Sequence, residues 1–142
     1  MKTKLFAVLF FVSIFTLGVS AQESYGGRDL AGIKTDFKAV GAVAHVKIDK
    51  VVFAADDVHP LYKIESTVIE TFKGKIRKGK FAFYFHAEED YDVQQLAGKE
   101  FVVFLESEAP IPGGGRGWYE LENSKIAASA KLSAQLRKLK KK

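Results

Sequence analysis

Residues 40–49 read Val-Gly-Ala-Val-Ala-His-Val-Lys-Ile-Asp (VGAVAHVKID), and their alternation decides the fold class. Val40, Ala42, Ala44, Val46 and Ile48 share one parity, against Gly41, Val43, His45, Lys47 and Asp49 on the other. Period two sends one set of side chains to each face of a pleated strand, so residues 37–55 are expected as a first strand. Gly41 inside such a run marks a bend or a close backbone approach.

Working outward, residues 56–60 (DDVHP) read as a turn, and residues 61–72 (LYKIESTVIETF) as a second strand with Tyr62, Ile64 and Val68 on one parity. Lys73-Gly74-Lys75 and Lys78-Gly79-Lys80 punctuate the next connection. Residues 81–86 form a third strand, with Phe81, Phe83 and Phe85 on one face. Residues 101–106 (FVVFLE) are apolar on both parities, which predicts a central fourth strand. A short fifth covers residues 118–121, with Tyr119 and Leu121 aligned. Asn123 or Ser124 is the expected helix cap, and residues 126–139 carry Leu132, Leu136 and Leu139 on one helical stripe.

Three phrases in this order carry a resemblance: the Gly-Ala-Val-Ala strand, Val68-Ile69-Glu70-Thr71-Phe72-Lys73-Gly74 closing the second strand, and Leu96-Ala97-Gly98-Lys99-Glu100-Phe101 opening the fourth. Over residues 37–122 the chain resembles the OB-fold family related to tissue inhibitors of metalloproteinases and netrin-type modules, especially its cysteine-poor bacterial members. The resemblance implies a mainly β fold, a five-stranded OB-like β-barrel with a C-terminal α-helix. The expected organisation is a signal peptide (1–21), a flexible lead-in (22–36), the barrel (37–122) and an amphipathic basic helix (123–142).

The signal peptide is read from Lys2 and Lys4, the uncharged apolar run over residues 5–19, and Val19-Ser20-Ala21 as the small-residue exit. A membrane span needs about 20 apolar residues. The expectation is therefore cleavage after Ala21 and an exported, periplasmic or secreted protein without an integral membrane span. There is no cysteine, so neither disulfides nor thiolate metal sites contribute. Cleavage also makes Gln22 the first mature residue. The animal inhibitors chelate the protease zinc through an N-terminal cysteine, and that mechanism does not carry over.

The net charge of +5 is unevenly placed. Residues 22–130 hold 14 Lys/Arg against 17 Asp/Glu, whereas residues 131–142 hold six basic residues and no acidic one. A body without positive excess is a poor general surface for nucleic acid, where phosphate neutralisation dominates affinity.

Candidate sites are few. The cluster His86-Ala87-Glu88-Glu89-Asp90-Tyr91-Asp92 offers oxygen ligands for a cation, but lacks the glycine and terminal glutamate of a calcium loop, and reads as a charged connection. Residues 110–117 (PIPGGGRG) are glycine-rich like a phosphate loop, yet lead into Trp-Tyr-Glu-Leu, which is strand-like. His45, His59 and His86 stand apart in sequence, and no nucleophile motif accompanies them. No cofactor is expected.

OB folds bind across strands two and three. That implicates Lys63, Glu65 and Thr67 with Ala82, Tyr84 and His86 opposite, and Arg116 and Trp118 on the glycine-rich loop. The expected function is a non-enzymatic exported binding or interaction module, its partner a protein or envelope component. The alternatives are a protease inhibitor acting through a rim loop without zinc chelation, and an anionic-polymer binder using the basic tail at residues 137–142.

Overall fold

The computed structural model describes residues 24–142, so the expected signal segment and Gln22 lie outside the described residues. The chain is mainly β, and its principal sheet closes into a ring. β3 (Ala42–Ala55) and β4 (Leu61–Lys73) form a long antiparallel hairpin, and β5 (Gly79–His86) continues it antiparallel to β4. β6 (Glu100–Pro110) returns to the other edge of β3, from Ala42↔Leu105 to Lys47↔Glu100. β7 (Arg116–Glu120) then fills the gap, parallel to β5 through Phe83↔Trp118 and Tyr84↔Tyr119, and antiparallel to β6. Four register slips along the β3–β4 hairpin give it the bend and coil that closure requires.

The sheet has six strands rather than the expected five. Five make the ring, and the sixth, β8 (Ile126–Ala127), lines the other side of β6 at Phe101 and Val102. β8 lies where the sequence suggested the start of a helix. Ile126 is only 1% exposed and seals an apolar layer, so it is used as a strand residue. The helix α2 (Ala130–Lys140) begins later, capped by Ser129, whose Oγ accepts the Leu132 N–H at 3.1 Å. Asn123 and Ser124, the expected caps, instead form a turn in which Asn123 adopts φ 53°.

The segment expected to be a flexible lead-in is also structured. β1 (Ser24–Tyr25) and β2 (Arg28–Asp29) form a small hairpin, and α1 (Leu30–Ala39) follows directly. Asp29 caps α1 by accepting the Gly32 N–H at 2.7 Å. Leu30, Ile33 and Phe37 recur at helical spacing and pack on the sheet. Arg28 pairs with Asp36 and donates to the Ser124 carbonyl at 3.0 Å, tying this segment to the turn before β8.

Two apolar layers result. Inside the ring lie Ala42, Ala44, Val46 and Ile48 of β3 with Ile64, Val68, Phe83, Phe85, Val103 and Leu105. Outside it, Val43, Phe72, Val102 and Phe104 are roofed by Tyr25, Ile33, Phe37, Leu132 and Leu136. β6 is therefore buried on both faces from Val102 to Leu105, as the apolar run there implied, and reaches solvent from Glu106 onward. At Gly41, a Cβ would come within 2.9 Å of the Glu106 carbonyl and 3.1 Å of the Trp118 ring, so the close approach is real.

α2 is held by its leucines more than by its charges. Leu132 and Leu136 are fully buried, whereas the bidentate Arg137–Glu70 pair at 2.8 Å lies in solvent. We expect Leu136→Ala to cost about 2–5 kcal/mol in urea unfolding. Glu70→Gln should cost less than about 1 kcal/mol. The reverse ranking would mean that charge, not packing, docks the helix.

Candidate functional site

The inward parity of β7 places Trp118 and then Glu120 inside the ring, because Trp118 aligns with Phe83 and Glu120 with Leu105. Glu120 thus sits in the last layer of the ring interior, its side chain only 4% exposed. A tight turn brings Lys125 back onto it: the Ser124 N–H donates to the Leu121 carbonyl at 3.2 Å, and Asn123 takes the left-handed conformation that asparagine tolerates. Lys125 Nζ stands 2.9 Å from both Glu120 carboxylate oxygens, 4.5 Å above the Phe85 ring centre and 5.9 Å from that of Phe101. Burial pushes the Glu120 carboxyl up from its ordinary range, and the Lys125 ammonium opposes that shift.

This pair forms the floor of a cleft of about 680 Å³ at the end of the ring. Asp57, Val58 and His59 enter from the β3–β4 turn, Phe85, His86 and Glu88 from the end of β5, and Tyr91, Phe101, Glu122 and Asn123 complete the wall. His86 Nε2 lies 3.4 Å from Asp57 Oδ2. The Tyr91 hydroxyl is raised above its usual value by burial and by the nearby Glu120 and Asp92 charges. Carboxylates outnumber the one lysine, Asp57, Glu88, Glu120 and Glu122 against Lys125, and three aromatic rings face the same space. Such a site is suited to hold a polar ligand that has an apolar face.

The residues singled out from the sequence divide into three groups. Lys63, Glu65, Tyr84 and His86 share the outer face of β4 and β5, where Lys63 opposes Tyr84 and Glu65 opposes Ala82. Lys63 and Glu65 approach each other to 3.9 Å, and His86 also borders the cleft. Thr67 lies further along β4 and serves a separate polar contact: its hydroxyl donates to Asp49 at 2.7 Å, and Lys80 reaches the same oxygen at 3.1 Å. These two donors hold Asp49 below the usual carboxylate range. Arg116 and Trp118 do not join the outer face. Arg116 donates to the Glu108 carbonyl at 2.6 Å beside the β6–β7 turn, and Trp118 packs against the ring interior.

Sequence reasoning missed Tyr119. It stacks between Tyr84, at 5.7 Å, and His86, at 6.3 Å, and its hydroxyl donates to the Pro110 carbonyl. Gly117 permits this strip, since a Cβ there would lie 3.0 Å from the Tyr84 ring. The sequence also left Glu120 and Lys125 unremarked: it aligned Tyr119 with Leu121 as the apolar face of the fifth strand, whereas the structure turns Trp118 and Glu120 inward.

The glycine-rich residues 111–115 link β6 to β7, a strand, so no helix N-terminus follows them as a phosphate loop requires. In the acidic stretch, Asp92 caps a 3-10 turn (Val93–Leu96) by accepting the Gln94 N–H. Among the described residues, no three His, Cys, Asp or Glu side chains are grouped to hold a metal ion. Neither a protein-family model nor a curated protein matches the chain.

Removing Lys125 while keeping Glu120 strands a buried carboxylate. Lys125→Met should therefore destabilise the protein by about 3–5 kcal/mol at neutral pH, and adding Glu120→Gln should restore much of it. A carboxyl raised by burial costs the fold nothing while protonated in both states. Its cost appears as pH rises past the ordinary value of 4.5. Urea midpoints for Lys125→Met should thus fall relative to the parent as pH rises from about 4 to 7, and a constant difference across that range would contradict the assignment.

Proposed function

We propose that this chain is a non-enzymatic, exported binding module on an OB-type barrel, whose ligand sits in the Glu120–Lys125 cleft and over the adjoining Tyr84–Tyr119–His86 strip. The connectivity supports the barrel type. β3, β4 and β5 run as consecutive hairpins and β6 returns beside β3, a Greek key, with β7 completing a five-stranded ring. In that fold the second and third strands carry the ligand surface, and here β4 and β5 keep their outer face clear over Lys63 and Glu65. Both helices lie over β3, β6 and the end of β4.

The observation that carries the reading is the chemistry of the cleft. A ring interior can be capped with methyl groups at no loss, and replacing a buried ion pair by apolar side chains is often neutral or stabilising. This interior ends instead in a carboxylate, an ammonium and aromatic rings around a space of the size that small ligands occupy. Export rests on residues 1–21.

The excess of carboxylates over Lys125 selects for organic cations, with the aromatic wall adding cation–π contact. In calorimetry and thermal melts of residues 22–142, arginine amide and spermidine should bind and raise the melting temperature, and glutamate and citrate should not. Asp57→Asn/Glu88→Gln/Glu122→Gln, all at the rim, should weaken cation binding at least about ten-fold. Equal binding by that variant, binding of the anions alone, or conversion of a bound probe into product would each overturn the reading.

A further inference from the structure

We propose that the pole of the molecule where β4 ends is a docking surface for an anionic phospholipid bilayer. Three basic segments, distant in sequence, are brought together there by specific contacts. The end of α2 is fixed to β4 by Arg137 on Glu70 and by Lys140 Nζ on the Thr71 carbonyl at 3.1 Å. Thr71 Oγ1 in turn donates to the Ile76 carbonyl at 2.7 Å, which holds the β4–β5 loop against the same point. Lys73 Nζ donates to the Phe37 carbonyl at 2.6 Å and the Lys38 carbonyl at 3.2 Å, adding the C-terminus of α1.

The side chains left exposed around this junction are Lys38, Lys75, Arg77, Lys78, Lys138 and Lys141, followed by the terminal Lys142. Of the carboxylates near it, Glu70 is taken by Arg137 and Asp36 of α1 by Arg28, and Glu106 lies at the adjoining end of β6. The basic tail is thus one third of a larger surface, and the loop with two Lys-Gly-Lys units is its second part.

Two features favour lipid over nucleic acid. No aromatic side chain is exposed among these cations, so there is no platform on which bases could stack. The cations are mostly lysines, which act as point charges towards a diffuse anionic surface and lack the fork with which arginine reads individual phosphates. Orientation follows from charge as well. The carboxylate-rich cleft stands at the opposite end of β4, roughly 40 Å along its thirteen residues, and would be repelled by the same bilayer.

The test is co-sedimentation of residues 22–142 with vesicles of phosphatidylglycerol mixed with phosphatidylcholine, against pure phosphatidylcholine. Binding is expected to the mixed vesicles alone and to fall with added salt. Each basic residue near an anionic leaflet adds roughly five-fold to partitioning. Lys75→Ala/Arg77→Ala/Lys78→Ala and Lys138→Ala/Lys141→Ala/Lys142→Ala should therefore each weaken it by roughly a hundred-fold. All six positions are exposed, and an unchanged circular dichroism spectrum checks the fold of both variants. The rim variant Asp57→Asn/Glu88→Gln/Glu122→Gln, which raises net charge at the far pole, should leave partitioning within a few-fold of the parent. No binding to the mixed vesicles, a loop variant that binds like the parent, a rim variant that gains as much as the loop variant loses, or tighter binding to duplex DNA at the same salt would each overturn the proposal.

Discussion

Over residues 43–47, β3 is paired along both edges, to β4 on one side and β6 on the other. That double pairing closes the ring, and it dictates composition on both of its faces. Inside, Ala42 and Ala44 are small enough for the facing walls to meet, and Gly41 lets Trp118 and the Glu106 carbonyl approach where the strand enters. Outside, Val43 is as dry as the interior because α1 and α2 cover it. The same strand changes character past Ile48, where Asp49, Lys50 and Phe53 reach solvent, so the helices roof only the first half of β3.

Because both helices are committed to one side of the ring, the outer face of β4 and β5 around Lys63 and Glu65 is not covered by them, and the two ends of the ring diverge chemically. One end gathers carboxylates around the Glu120–Lys125 pair, and the other gathers lysines around Thr71. The near balance of charge in the body conceals this separation, since both signs are counted together. Burial and distance decide what each charge does. Glu120 is costly without Lys125 because water is excluded, whereas Glu70 and Arg137 meet where solvent screens them.

The strands were legible because period-two alternation survives in the local sequence, from Val40 to Ile48 and from Phe81 to Phe85. The doubly buried β6 was legible from an apolar run on both parities. What could not be read locally was set by distant partners. Ile126 belongs to a helical-looking segment, yet the open side of β6 at Val102 recruits it as a strand. Residues 24–37 offer only Tyr25, Leu30, Ile33 and Phe37 as large apolar anchors, too few to announce a helix until Val43 and Phe104 supply a surface for them. The outer-face residues Lys63, Glu65, Tyr84 and His86 were found by strand position, but the cleft was not. Its floor joins Glu120 to Lys125 through a turn whose geometry depends on Asn123 and on Arg28 nearly a hundred residues earlier.

That last contact has a consequence for timing. Tyr25 and Ile33 share an apolar layer with Ile126, Leu132 and Leu136, so the beginning of the described chain cannot complete its core before the end has been made. The parallel β5–β7 pairing adds another link that waits for distant residues. Folding dominated by such long-range closure is slow relative to local helix formation, because loop entropy is lost before contacts compensate it. The outer apolar layer of this topology is therefore completed last, when Leu132 and Leu136 meet Ile33 and Phe37, whereas the interior of the ring draws on none of these residues.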